Sequence, residues 1–133
     1  MTIPPLQSAP MSEDAKTLID KAVRTFLDEV PALAPLTLVV GVDLHGRGDT
    51  QQFRLEMPDI EVRKDIAADA RVRIEMRREF FNAMVEHGAR VADWREAFVH
   101  GHAKATGVEQ YMRLIINVVE RQEERSRTRK ARH

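Results

Sequence analysis

Five histidines and no cysteine bound the side-chain chemistry open to this 133-residue chain. Without a thiol, cysteine nucleophiles, zinc–thiolate centres, iron–sulfur clusters and disulfides are excluded together. The densest group of reactive side chains lies in Asp93-Trp94-Arg95-Glu96-Ala97-Phe98-Val99-His100-Gly101-His102. On an extended segment residues i and i+2 share a face, so His100 and His102 could offer two imidazoles to one cation. Only Glu96 stands nearby as a third ligand, and two histidines alone make a weak site. With Asp93 and His87, the same residues are acid–base candidates for an isomerase, cyclase or hydrolase acting on an apolar substrate. No nucleophile elbow, phosphate loop or carboxylate dyad accompanies them. Charged groups on a solvated rim explain them as well, so the expectation is no catalytic residue, no metal and no cofactor.

Whatever these residues do, a single domain must position them. A chain of this length buries about two-thirds of its unfolded surface and needs no staple. Hydrophobic residues at 43% and charged residues at 32% give a globular balance. Residues 1–11 hold three prolines and no periodicity, and read as a loose arm. Ser12 suits an N-cap, and Ala15, Leu18, Ile19, Ala22, Val23, Phe26, Leu27 and Val30 then follow at helical spacing until Pro31. From Leu36 the period changes to two. Leu36–Leu44 and Phe53–Met57 form a hairpin around His45-Gly46-Arg47-Gly48-Asp49, and Ile60–Ile66 and Ala70–Met76 alternate in turn. Four such strands predict an antiparallel meander with one wet face and one face needing a cover.

The cover follows in sequence. Phe80, Phe81, Met84 and Val85 mark a short helix closed by Gly88, and Val91–Val99 is a second short helix or an irregular stretch. Gly101–Gly107, with Ala103 and Ala105 alternating against Lys104 and Thr106, reads as a fifth strand. The last helix starts near Val108 and is apolar almost all round from Tyr111 to Val119, which predicts deep burial. The expected fold class is α+β, an antiparallel sheet of about five strands with helices covering one face. Residues 12–120 form the domain and 121–133 a basic tail.

From Asp69 onward the chain resembles the sterol-carrier-protein lipid-transfer domains. The resemblance rests on the alternating strand led by Asp69, the helix closed at Gly88, the pair Ala97-Phe98, Gly101 three residues later, a short strand, and Gly107 before an amphipathic helix. It is clearest over residues 69–115 and extends by element order back to Ser12. His100-Gly101-His102 stands where that family often has Ser-Gly-Lys, and Val108 where Asp is frequent. The resemblance implies an apolar cavity for a lipid-like guest (fatty acyl, sterol or isoprenoid) enclosed between helices and sheet. The expected lining is Phe80, Phe81, Met84, Trp94, Phe98, Tyr111, Met112 and Ile115 on the cover, facing Met57, Val62, Val72 and Ile74 on the sheet. Aromatic and methionine side chains suit such a pocket, and they equally suit a solid core.

Charge and targeting signals complete the expectation. Residues 1–66 carry 7 Lys/Arg against 11 Asp/Glu, and residues 67–133 carry 14 against 10, for a net charge of zero. The excess is concentrated in Arg121–His133, with six basic and two acidic residues. A neutral total argues against dedicated nucleic-acid binding, whereas the basic end could touch an anionic membrane surface. No apolar run nears the roughly 18 residues of a membrane span, and the first residues resemble no signal peptide, which predicts a cytoplasmic protein. The function this predicts is binding, and transfer, of an apolar small molecule. The alternatives are a small enzyme in the same cavity or a protein-interaction module with a solid core.

Overall fold

The computed structural model describes residues 11–131. All but the last residue of the expected arm, and the Ser12 side chain as a cap, lie outside what is described. Helix α1 spans Met11–Glu29 and buries Ala15 and Ile19 against the sheet. Pro31 ends it, because its ring cannot continue the hydrogen-bond ladder, and instead opens a single 3-10 turn at Pro31–Leu33. Strands β1 (Leu38–His45), β2 (Thr50–Met57), β3 (Glu61–Arg63) and β4 (Val72–Arg77) follow. Helices α2 (Arg78–Glu86) and α3 (Val91–Val99), strand β5 (Ala103–Gly107) and helix α4 (Glu109–Ala131) complete the chain. Among the described residues no helix is long and apolar enough to cross a membrane.

The sheet order is β3-β2-β1-β4-β5, and here the expected meander is corrected. Strand β4 does not extend the sheet beyond β3; it lies beside β1 and parallel to it, with Val42 opposite Ile74. The sheet is therefore mixed, its other three pairings being antiparallel. Period-two alternation shows that a segment is a strand and which face is apolar, but carries no information on its neighbour. The third strand is also shorter than its alternation suggests, pairing with β2 only from Glu61 to Arg63. Residues 64–71 are thereby freed to carry the chain back across the open face.

That crossing is held by two arginines of the polar face. Arg54 on β2 forks onto both oxygens of Asp69, its Nη2 donating to Oδ2 at 3.1 Å, while its Nε donates to Glu56 at 2.9 Å. Arg73 on β4 donates to the Ala67 carbonyl at 2.8 Å and to Asp43 at 3.1 Å. Its guanidinium lies over Gly41, where a β-carbon would come within 2.8 Å of it. Ala67 is fully buried by this arrangement, so the open face is partly roofed rather than wholly wet.

The Arg54 hydrogen bonds hold the Asp69 carboxyl below its ordinary range. A carboxylate whose pKa is lower folded than unfolded adds stability that is present above about pH 4 and lost as the pH falls through the folded value. Arg54→Met should therefore lower the urea midpoint by a constant amount above about pH 5, and the gap to the parent protein should close in more acidic solution. A gap that persists to pH 2.5 would show that the pair does not anchor the crossing.

Two further departures concern α4. The expected basic tail is helical through Ala131, so α4 runs on well past its apolar section. The expected deep burial of its middle is also corrected: Leu114 and Ile116 stand 43% and 51% exposed on either flank. Only Tyr111, Met112, Ile115, Val118 and Val119 turn toward the body. One helix lying on a sheet buries roughly a third of its circumference, and here the apolar arc is wider than that.

Candidate functional site

The layer between helices and sheet is not equally closed everywhere. Toward β1 and β2 it is sealed: Leu44, Phe53 and Leu55 pack beneath Ile19 of α1, and all are buried. Phe81 of α2 and Trp94 of α3 meet beside them with ring centroids 6.1 Å apart. Glu29, at the end of α1, ties this cover together by accepting from Arg90 Nε at 2.7 Å and from the Val91 N–H at 3.1 Å. A carboxylate at the start of α3 also meets the positive end of that helix.

Toward β4 and β5 the layer opens. Ile74 sits at the centre of β4, between Val42 on β1 and Ala105 on β5. Its neighbours on the same face, Val72 and Met76, are only 4% and 6% exposed, yet Ile74 itself is half-buried. Ala105 opposite it is half-buried too. A mid-strand side chain flanked by two paired strands stays accessible only where the layer above fails to close over it. The small side chains of β5 contribute, since Ala103, Ala105 and Gly107 face the helices without filling the space a Val or Leu would fill. Phe80, Met84, Tyr111, Met112 and Ile115, from the helices and their borders, pack against the same core cluster as Ile74 and are themselves half-buried.

Gly107 fixes where this opening ends. With φ at 152°, it pairs with Val72, and a β-carbon there would come within 2.2 Å of the Arg71 carbonyl oxygen. The Val108 N–H donates to that same carbonyl at 2.8 Å. The chain thus leaves β5 pressed against β4 and turns directly into α4, which returns across the cluster. At the other end Phe80 stacks on His102, with centroids 5.1 Å apart, so the imidazole forms part of the rim.

Of the twelve residues expected to line a cavity, eleven belong to one hydrophobic cluster. Val72, Phe81 and Trp94 are buried in it, and Met57, Val62, Ile74, Phe80, Met84, Tyr111, Met112 and Ile115 pack against it. Phe98 stands apart, 36% exposed on the outer side of α3. The reactive residues are not gathered into a site. Asp93 is used as a helix cap, accepting from the Arg90 N–H at 2.8 Å. His100 Nε2 lies 3.9 Å from Glu96, beyond hydrogen-bond reach, and both are exposed. Among the described residues no three metal-ligating side chains converge.

One polar constellation went unnoticed in the sequence. His45 is engaged at both ring nitrogens, Nδ1 with Thr50 Oγ1 at 2.9 Å and Nε2 with Glu75 at 3.0 Å. It lies on the polar face of the sheet, away from the apolar opening. The hairpin register pairs His45 with Thr50, which the alternation of β1 and β2 could have revealed. Glu75 enters only through the parallel pairing of β4, which no local pattern shows.

No protein-family model matches the sequence, and no curated protein matches it. Solved structures do match. The UbiJ-SCP2 ubiquinone synthesis protein aligns with a TM-score of 0.54 at 17% identity, over 85% of this chain and 99% of that one. Sterol carrier protein 2-like 2 of Aedes aegypti aligns in its palmitated form with a TM-score of 0.51 at 15% identity, over 73% of this chain and 93% of that one. A crystal structure of the same mosquito protein gives 0.50 at 16% identity, over 75% and 98%. The chain therefore has the sterol carrier protein 2 fold, an α+β arrangement with a mixed sheet of five strands and four helices among the described residues.

Proposed function

We propose that the chain binds, and can transfer, one apolar lipid-like molecule carrying a fatty acyl, sterol or isoprenoid group. The guest would lie between α4 and the β4–β5 part of the sheet. The observation that carries the reading is the half-buried Ile74 in the middle of a covered sheet face. An apolar side chain reachable there, packed against the same core cluster as half-buried Phe80, Met84, Met112 and Ile115, offers an apolar guest surface that water covers poorly. Tyr111 can supply one hydroxyl to a polar head. The palmitated state of the mosquito protein supports an acyl chain as guest. The reading assigns no chemistry to the guest, because the acid–base candidates are exposed and no two of them are hydrogen-bonded to each other. It places the protein in the cytoplasm.

Native mass spectrometry of the purified chain, followed by organic extraction, tests this together with titration of a fluorescent fatty-acyl probe. A co-purified apolar molecule, or saturable probe binding at one molecule per chain, is the expected result. A protein that carries nothing and binds no acyl, sterol or isoprenoid probe would sink the reading and leave a solid core.

A further inference from the structure

The charges of α4 are sorted by flank. At about 100° per residue, Tyr111, Leu114, Val118, Arg121 and Arg125 form one stripe along the helix. Of its four carboxylates, Glu109, Glu120 and Glu123 fall roughly 100° or more away from every residue of that stripe, while Glu124 lies about 60° from Arg121. Three of them are committed elsewhere. Glu109 accepts from Arg113 at 2.6 Å, while Arg95 of α3 pairs with Glu123 and lies 3.6 Å from Glu120. The two Arg95 contacts turn the acidic flank toward α3 and leave the opposite flank free of it.

That opposite flank joins exposed apolar surface to unpaired positive charge. Leu114 is exposed, and so are Arg121 and Arg125, neither of which has an ion-pair partner among the described residues. Arg71 adds a third guanidinium at the head of the stripe, 5.9 Å from the centroid of the Tyr111 ring. Arg71 has no ion-pair partner among the described residues either, and the Asp69 carboxylate two residues before it is gripped by Arg54.

We infer that this flank docks the protein on an anionic lipid bilayer, with Leu114 entering the headgroup region and Arg71, Arg121 and Arg125 meeting lipid phosphates. A second copy of the chain does not fit. Pairing two such stripes would bring Arg121 and Arg125 of both copies together against Leu114, with only Glu124 of each copy at the margin to receive them. A bilayer of anionic lipid supplies both the negative charge and the apolar boundary the stripe lacks. The choice of a bilayer over an acidic protein surface rests on the lipid-binding reading. Tyr111 belongs to the stripe and, like Ile74, packs against the main core cluster, so docking here sets that layer beside the membrane.

The test is co-sedimentation of the full chain with phosphatidylcholine vesicles, with and without 30 mol% phosphatidylglycerol, across a salt series. Binding should require the anionic lipid and weaken steeply with salt. Each arginine removed should cost about fivefold in partitioning, so Arg121→Gln with Arg125→Gln should lose about 25-fold. Leu114→Ser should also weaken binding. The control is Arg113→Gln with Arg127→Gln, which removes the same charge from the other side of the helix and should bind much as the parent does. Equal losses in both double variants would reduce the effect to net charge and overturn the docking face, as would binding that ignores lipid charge. Acyl-probe titration of each variant keeps the two ideas separate. Probe binding without vesicle binding overturns docking alone, and vesicle binding without probe binding leaves docking standing while lipid binding falls.

Discussion

Gly107→Ala should cost this protein more than about 3 kcal/mol of stability, enough to leave much of the chain unfolded at 37 °C if the parent has an ordinary margin. The reason is contact as well as conformation. A β-carbon at Gly107 would come within 2.2 Å of the Arg71 carbonyl oxygen and 2.8 Å of Val72 Cα, and backbone atoms cannot swing aside as a side chain can. Relief requires β5 to pull away from β4, breaking the Gly107–Val72 pairing and the Val108 N–H bond that starts α4. Gly88→Ala is the matched control. Gly88 also has positive φ, at 71°, but nothing lies within 4 Å of its missing β-carbon, so only the left-handed penalty of about 1–2 kcal/mol applies. Urea denaturation of the two variants reads the difference. Equal costs would mean that the close approach of β4 and β5 is not what demands a glycine.

The same residue shows how sequence reading divides from structure. Composition and the family resemblance both mark Gly107 as the end of the last strand, yet its partner Val72 lies 35 positions earlier in the chain. Local signals carried what local physics determines. Pro31 stopping α1, Gly88 closing α2 and the apolar face of each strand all follow from one or two turns of chain. What failed was long-range. The parallel seat of β4 beside β1 depends on residues 64–71 crossing the polar face, and that crossing depends on Arg54 and Arg73, whose strand positions look like ordinary solvated charges. The candidate site divides in the same way. Eleven of the twelve residues expected at a cavity do gather, because apolar faces must meet. The opening over Ile74 was not legible, since periodicity reports which residues face inward and not how well the layer above them closes. Phe98 illustrates the limit: it follows the Ala-Phe pattern, but its place on α3 turns it outward.

The same view accounts for the division of labour between the two sheet faces. On the polar face three central side chains are tied to acidic neighbours: Arg54 to Asp69, Arg73 to Asp43 and the His45 ring to Glu75. These links fix the crossing segment and so hold β4 in place, which in turn positions Ile74 and the strand beyond it. On the helical face the β5 side chains are small, and α4 rests on them through half-buried residues. The tied side chains therefore lie beneath the sheet, while the layer that would admit a guest is the one where β5 contributes the least side-chain bulk.

Ala105→Phe should fill that layer, and its two consequences separate a container from a solid core. Ala105 faces the helices directly across from Ile74, and both are half-buried. If space lies above them, a benzyl group placed there meets no clash and buries apolar surface, so the thermal midpoint should hold or rise. The same group would occupy the volume of a bound acyl chain, and affinity for the fluorescent probe should fall on the order of 30-fold, about 2 kcal/mol of binding energy. If the core is instead solid, the added ring overpacks it and costs about 1–3 kcal/mol of stability, with no probe binding to lose. Thr106→Phe serves as the control, because Thr106 lies on the same strand but points to the opposite face, opposite Arg73. Its ring would add similar bulk without reaching the opening and should leave probe affinity unchanged. A stable Ala105→Phe protein that binds the acyl probe as tightly as the parent would place the guest elsewhere in the fold and remove Ile74 from the site.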